Sequence, residues 1–261
     1  MNLDIYQVDA FTSEVFTGNP AAVVPLQEWL PDKTMRQIAM ENNLSETAFF
    51  VPTQDGFHLR WFTPTQEVDL CGHATLATSF VIFNHLGYKS DSIVFESKSG
   101  RLIVNRTPDG LELNFPALPT QKSDVDEACI AQIFGHAARE LYRGKKWIAI
   151  YDDPDFVQAA NPDIALIKTI PAHGLIITAP GRNGIDFVSR NFAPQVGIPE
   201  DPVTGMAHCM LALIWKEKLG KTKFRARQVS ARGGEMICEI KGDRVHLTGQ
   251  AALYMKGVIY V

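Results

Sequence analysis

The sequence has little cysteine, no clustered charge and no long apolar run, and each shortage removes a class of protein. Only four cysteines, Cys71, Cys129, Cys209 and Cys238, occur in 261 residues, and none forms a C-x-x-C pair. Disulfide frameworks and structural zinc sites need closer spacing, so reduced thiols and no metal are expected. His208 adjoins Cys209, but successive helical residues point in different directions and no further ligand stands at metal spacing. Twenty-five Lys and Arg against 29 Asp and Glu leave a formal net charge of −4. With no block of like charge, neither a nucleic-acid footprint nor a polybasic membrane patch is present. No apolar run approaches the roughly 18 residues of a membrane-spanning helix. Residues 1–24 hold Asp4, Asp9 and Glu14 and no basic residue, which is wrong for a signal peptide, so a cytoplasmic location is expected. There is no G-x-G-x-x-G behind a strand, no P-loop and no G-x-S-x-G elbow, so hydride transfer, nucleotide hydrolysis and serine hydrolysis lack support. Work on a small molecule remains.

What is present is ordinary globular composition, 46% hydrophobic and 21% charged, with 19 Gly and 15 Pro. At about 100 to 200 residues per domain, the length allows one large domain or two smaller halves. Self-similarity favours halves. Arg60-Trp-Phe62-Thr-Pro64 recurs as Arg190-Asn-Phe192-Ala-Pro194 at an offset of 130. Gly72-His-Ala74 to Leu86-Gly87 recurs as Gly205-Met-Ala207 to Leu219-Gly220 at 133. Gly100 to Val104 and Asp109 to Leu113 face Gly234 to Cys238 and Asp243 to Leu247 at 134, and Leu30-Pro31-Asp32 faces Asn161-Pro162-Asp163 at 131. Four matches in one order, with offsets drifting by only a few residues, read as an ancient duplication.

Segments 72–87 and 205–220 are apolar around most of a helical circumference, yet too short to cross a bilayer, so each must be surrounded by protein. Both end at Leu-Gly, a normal helix stop. The flanking segments 46–51, 57–62, 111–115, 175–178, 185–189 and 245–248 alternate like strands. The expected architecture is α+β: two pseudo-symmetric halves, each a curled β-sheet wrapped around a central α-helix. The first half is residues 1–117, with strand 252–261 as a candidate addition, and the second is 118–251. A small helix is expected from Lys33 to Met40, with Asp32 as N-cap and Met35, Ile38 and Ala39 on one face. A connecting helix is expected from Val125 to Leu141.

Chemistry can gather where the central helices begin. The first N–H groups of a helix lack internal partners and carry the positive end of its dipole, which suits a carboxylate or phosphate. With two-fold duplication, the starts at Gly72 and Gly205 can face one cleft. The alternative is that both glycines only make turns and Thr204 only caps a helix. Read locally, Glu46 is either a proton-transfer group or a turn-closing partner of Ser45. His73 is either a relay or a neutral ring bonded to a carbonyl, and Asn19 before Pro20 either lines a site or makes a turn. Pro202 should turn the Asp201 carboxylate away from the helix start.

The motifs then converge. Asp9-Ala-Phe-Thr12, Gly18-Asn-Pro-Ala-Ala-Val23, Asn43-Leu-Ser-Glu46-Thr-Ala-Phe49, Cys71-Gly-His73-Ala-Thr75 and Glu200-Asp-Pro-Val-Thr-Gly205 together resemble the PhzF-like isomerases of phenazine biosynthesis and their relatives. The resemblance covers nearly the whole chain. It implies the diaminopimelate epimerase-like fold and a cytoplasmic homodimer acting on a small carboxylate metabolite. It also implies a proton shift without metal or organic cofactor, of the kind performed on trans-2,3-dihydro-3-hydroxyanthranilate. Glu46 then matches the acid/base glutamate, His73 and Asp201 match pocket residues, and Gly72 and Gly205 match the helix-start glycines. Asn19, Thr204 and Met206 join them as substrate-binding positions.

A group that takes a proton from carbon and returns it along a conjugated system must sit near working pH. Burial beside Phe49 and Phe50 is expected to raise Glu46 for that purpose. Two departures stand out. Epimerases of this superfamily use two thiols, whereas Cys71 is matched by Thr204, so a symmetric two-base inversion is not available. Met206 replaces a small polar residue and cannot donate a hydrogen bond. A Cys71-dependent epimerase and a binding protein without turnover are the alternatives.

Overall fold

The computed structural model describes residues 1–123 and 127–261. The chain forms two compact units, Met1–Phe115 with Thr248–Val261, and Pro116–Leu247. In chain order the elements up to the first boundary are β1 (Asn2–Ala10), β2 (Asn19–Pro25), α1 (Asp32–Asn42), β3 (Glu46–Pro52), β4 (Phe57–Phe62), β5 (Glu67–Val68), α2 (Gly72–His85), β6 (Ser92–Ser97), β7 (Gly100–Thr107) and β8 (Gly110–Pro116). There follow β9 (Gln121–Lys122), α3 (Glu127–Phe134), β10 (Glu140–Arg143), β11 (Trp147–Ile150), α4 (Pro154–Ala159), α5 (Ile164–Thr169), β12 (Leu175–Pro180), β13 (Phe187–Ala193), β14 (Ile198–Asp201), α6 (Gly205–Leu219), β15 (Lys223–Gln228), β16 (Gly234–Lys241), β17 (Arg244–Gly249) and β18 (Ala251–Tyr260). β18 returns to pair antiparallel with β1.

The sequence repeat is a repeat of strand register. β2–β3 and β11–β12 are parallel pairs, with Ala22 opposite Thr47 in one and Trp147 opposite Leu175 in the other. β3–β4 and β12–β13 are antiparallel, with Thr47 opposite Phe62 and Leu175 opposite Phe192. β4–β6 and β13–β15 are again parallel. The repeated Arg-x-Phe makes the same clasp twice. Arg60 grips both carboxylate oxygens of Glu67 at 2.8 and 2.9 Å, and its guanidinium lies 5.1 Å from the Phe62 ring centre. Arg190 grips Glu200 at 2.7 and 2.8 Å and lies 5.0 Å from Phe192. Two-pronged bonding of this kind orients as well as attracts, and Arg60 holds the Glu67 carboxyl down to about 2.

The central helices α2 and α6 are buried on nearly every side, including Ala74, Leu76, Ala77, Val81 and Ile82 in one and Ala207, Met210, Leu211, Ala212 and Trp215 in the other. Trp215 stacks 5.5 Å from Phe187 and donates through Nε1 to Thr178 Oγ1 at 3.1 Å. Gly249 has no room for more: a Cβ there would lie 2.5 Å from the Phe11 ring.

Three expectations are corrected. The small helix buries Met35, Ile38 and Ala39 as foreseen, but Pro31 is its N-cap and Asp32 makes no cap bond. The Asp32 carboxylate accepts from Arg60 Nη2 at 2.9 Å instead. Of the connecting helix, Val125 lies outside the described residues, and the helix seen is Glu127–Phe134. Gly135, at φ 68°, stops it in the left-handed region that suits glycine, and Leu141 belongs to β10. Phe49 does not shield Glu46. Strand alternation puts it on the opposite face of β3, where it packs with Met35, Ile38 and Phe62.

Candidate functional site

In the first unit, three stretches bring Asn19, Glu46, Cys71 and His73 together. Gly18, at φ 67°, allows the tight entry into β2, since a Cβ there would lie 2.3 Å from the Ala10 carbonyl oxygen. Asn19 opens β2 fully buried, and Glu46 opens β3. His73 is the second residue of α2, behind Cys71 as N-cap. Asn19 Nδ2 donates to His73 Nδ1 at 3.3 Å. That bond leaves the single proton of a neutral ring on Nε2, which stands 3.3 Å from Glu46 Oε2. Cys71 Sγ lies 3.5 Å from His73 Nδ1.

Both side chains of the pair are nearly enclosed, 7% exposed for His73 and 13% for Glu46. Burial lowers the His73 pKa, with the Glu46 charge pulling the other way, which favours a neutral ring beside the carboxyl. His73 turns its two ring nitrogens to side chains rather than to a carbonyl. The carbonyl-bonded histidine is His208 on α6, whose Nδ1 donates to Thr204 O at 2.8 Å. Donor atoms of Glu46, Cys71 and His73 lie within 4.8 Å of one another, a candidate metal trio. However, Cys71 abuts Nδ1 and Glu46 abuts Nε2, so one ion replaces both contacts only if the ring turns.

In the second unit, Asp201 and Thr204 meet before α6. Thr204 Oγ1 donates to Asp201 Oδ2 at 2.5 Å, so the carboxylate folds back toward the helix start rather than away from it. Proline restricts the Asp201 backbone but leaves its side chain free to reach the hydroxyl three residues on. Thr204 consequently makes no side-chain cap for α6, and Cys71 makes none for α2. Gly72 and Gly205 are the first residues of their helices, and Met206 beside Gly205 is 39% exposed.

Three residues that the sequence did not disclose complete this cluster. Asn191 Nδ2 donates to Thr204 Oγ1 at 2.8 Å, and Lys146 Nζ donates to Asn191 Oδ1 at 2.6 Å. Gln228 accepts from Thr204 N at 2.9 Å and donates to the Asp201 carbonyl at 2.6 Å. Burial pushes the Lys146 ammonium down to about 8 against the opposing pull of Asp201. The one sequence signal was Asn191, polar where the first copy has Trp61.

Known proteins are similar to this chain over nearly its whole length. The PhzC-PhzF family, described as phenazine biosynthesis-like protein, matches residues 8–257. A Pseudomonas aeruginosa protein named as an uncharacterized isomerase is 45% identical over 261 residues, which is 100% of both chains. The crystal structure of a PhzF-family phenazine biosynthesis protein from Enterococcus faecalis gives a TM-score of 0.97 at 43% identity, again over 100% of both. A hydroxyproline epimerase from Agrobacterium vitis, crystallised with trans-4-hydroxy-L-proline, gives 0.61 at 11% identity over 99% of this chain and 92% of its own. That last likeness is one of fold.

Proposed function

The chain belongs to the phenazine biosynthesis-like PhzC-PhzF family and is an isomerase of the epimerase-like α+β fold, and on that premise we propose that Glu46 carries the proton it moves. The substrate class is a small carboxylated, unsaturated amino or hydroxy acid similar to trans-2,3-dihydro-3-hydroxyanthranilate. The observation that carries this reading is the 3.3 Å approach of His73 Nε2 to the enclosed Glu46 carboxyl. As carboxylate, Glu46 takes the proton as a C–H bond breaks, and after that proton has exchanged with solvent the Glu46 acid protonates another carbon of the conjugated system. No electrons are gained or lost overall. His73 places its Nε2 proton beside the carboxyl, close but without hydrogen-bond geometry, and Asn19 keeps the ring in that tautomer. General acid–base help of this kind is worth about 10² to 10⁴ in rate.

Asp201, oriented by Thr204, is assigned to the substrate's amino or hydroxyl group. The N–H groups of the first turn behind Gly72, free of a side-chain cap, are assigned to its carboxylate. Met206 offers no donor and argues for a substrate other than the dihydro-hydroxyanthranilate itself. The same reading needs no metal or organic cofactor and keeps the chain a cytoplasmic homodimer, which sedimentation tests.

A second reading, a Cys71-dependent epimerase, is favoured by the thiol standing 3.5 Å from His73 Nδ1. It is opposed by Thr204 at the matching place. Incubation in D2O with trans-2,3-dihydro-3-hydroxyanthranilate and with a metabolite extract tests the proposal. An isomerised compound carrying one carbon-bound deuteron supports it, whereas inversion at a single carbon, abolished in Cys71→Ala, supports the second reading instead.

A further inference from the structure

Four positions of the duplicated frame differ between the units in one consistent sense. Trp61 lies opposite Val68 in the first unit, and Asn191 lies opposite Asp201 in the second. Cys71 and Thr204 each precede a central helix. Ala21 precedes Ala22 of β2 just as Lys146 precedes Trp147 of β11, the two residues that share a register. Thus Ala21, Trp61, Val68 and Cys71 correspond to Lys146, Asn191, Asp201 and Thr204. One unit folds with an apolar or thiol-bearing set, so the frame does not require the polar set of the other.

The polar set forms a single row with one direction. Lys146 is 6% exposed, and an ammonium can only donate. Its bond to Asn191 Oδ1 fixes the amide so that Nδ2 donates to Thr204 Oγ1. Having accepted that bond, the Thr204 hydroxyl sends its own proton to Asp201 Oδ2. Gln228 braces the turn from the other side, and its Nε2 adds a longer 3.4 Å bond to the Thr204 hydroxyl that points the same way. Every proton points from the ammonium toward the carboxylate. A buried lysine is a poor stabiliser, because apolar replacement of buried charges is often neutral or favourable.

We propose that Lys146 is a positioning residue of the binding site: the one-way row of hydrogen bonds it starts holds Asp201 as an oriented acceptor for the amino or hydroxyl group of the substrate. This rests on the assignment of Asp201 made above. The test uses anthranilate, a stable aromatic amino carboxylate, titrated calorimetrically into the full chain. The variants are Lys146→Met/Asn191→Leu, which restores an apolar pair like that of the first unit, Asp201→Asn, and all three changes together.

The double variant should keep or raise its Tm yet bind at least tenfold more weakly, and adding Asp201→Asn should cost less than a further threefold. A lowered Tm with unchanged affinity overturns the proposal in favour of a structural lysine. Fully additive losses overturn it too, since Lys146 would then act other than through Asp201. Full affinity in Asp201→Asn alone, or no binding by the unmodified chain, strikes the underlying assignment of the site to amino carboxylates. A readout without ligand then decides the row itself. The Lys146 ¹³Cε resonance, assigned by its loss in Lys146→Met, should titrate near 8 and move lower in Asp201→Asn, and a midpoint indifferent to that change overturns the coupling.

Discussion

Two histidines on matched helices show how position decides the use of a residue. His73 faces Glu46 through one nitrogen and Asn19 through the other, while His208, two residues further along its own helix, is tied to the Thr204 carbonyl and stacks on Phe187. Burial brings His208 down to about 4, against about 6.5 for an unfolded histidine. Between those values only the unfolded chain takes the proton, so unfolding becomes easier as pH falls from about 6.5 and the loss levels off below about 4. By pH 5 it amounts to about 2 kcal/mol from this one group. Urea unfolding at pH 7 and pH 5 should show that difference, and His208→Gln should remove most of it. At this scale short, ordered motifs marked Glu46, His73 and Asp201 as candidates, and the approach of Glu46 to His73 became visible only in the fold. Lys146 was not marked, because a lysine closing the basic run Arg143-Gly-Lys-Lys146 before a strand reads as a surface cation, and only the register of β11 to β13 reveals what encloses it.

The central helices were the most legible elements, since an all-round apolar segment ending in Leu-Gly has few other fates. Gly220 closes α6 at φ 65° with open space around its missing Cβ. Gly220→Ala should therefore cost only the backbone term of a left-handed residue, about 1 kcal/mol, read as a lowered urea midpoint with unchanged slope. The stretch beyond Ser123 was misread for a physical reason. Ile130, Ile133 and Leu141 all enter one apolar cluster, as the inward face of a single helix would. In fact a helix supplies the first two and a strand the third, with Gly135 between. The cap at Asp32 was misread similarly, a good capping residue whose side chain is engaged by Arg60, and the alternative of a Thr204 cap meets the same fate, its hydroxyl being engaged by Asp201.

For the whole molecule, the duplication visible in the sequence is carried by strand registers and by the Arg60–Glu67 and Arg190–Glu200 clasps. The extra strand β18 pairs with β1 from Asn2 opposite Tyr260 to Ala10 opposite Ala251. Removal of residues 251–261 strips β1 of that partner. Limited proteolysis of the shortened chain should cut first within residues 1–115, ahead of any cut in 127–247. Divergence of the two copies, with a carboxyl–imidazole pair in one and an ammonium-led row in the other, suits a one-base proton shift better than a symmetric inversion. The most direct measurement is deuterium incorporation from solvent into the converted metabolite, compared across the unmodified chain, Glu46→Gln and Cys71→Ala. The account predicts at least a hundredfold loss in Glu46→Gln and a rate within about threefold of the original in Cys71→Ala. Exchange that survives in Glu46→Gln and vanishes in Cys71→Ala would contradict it.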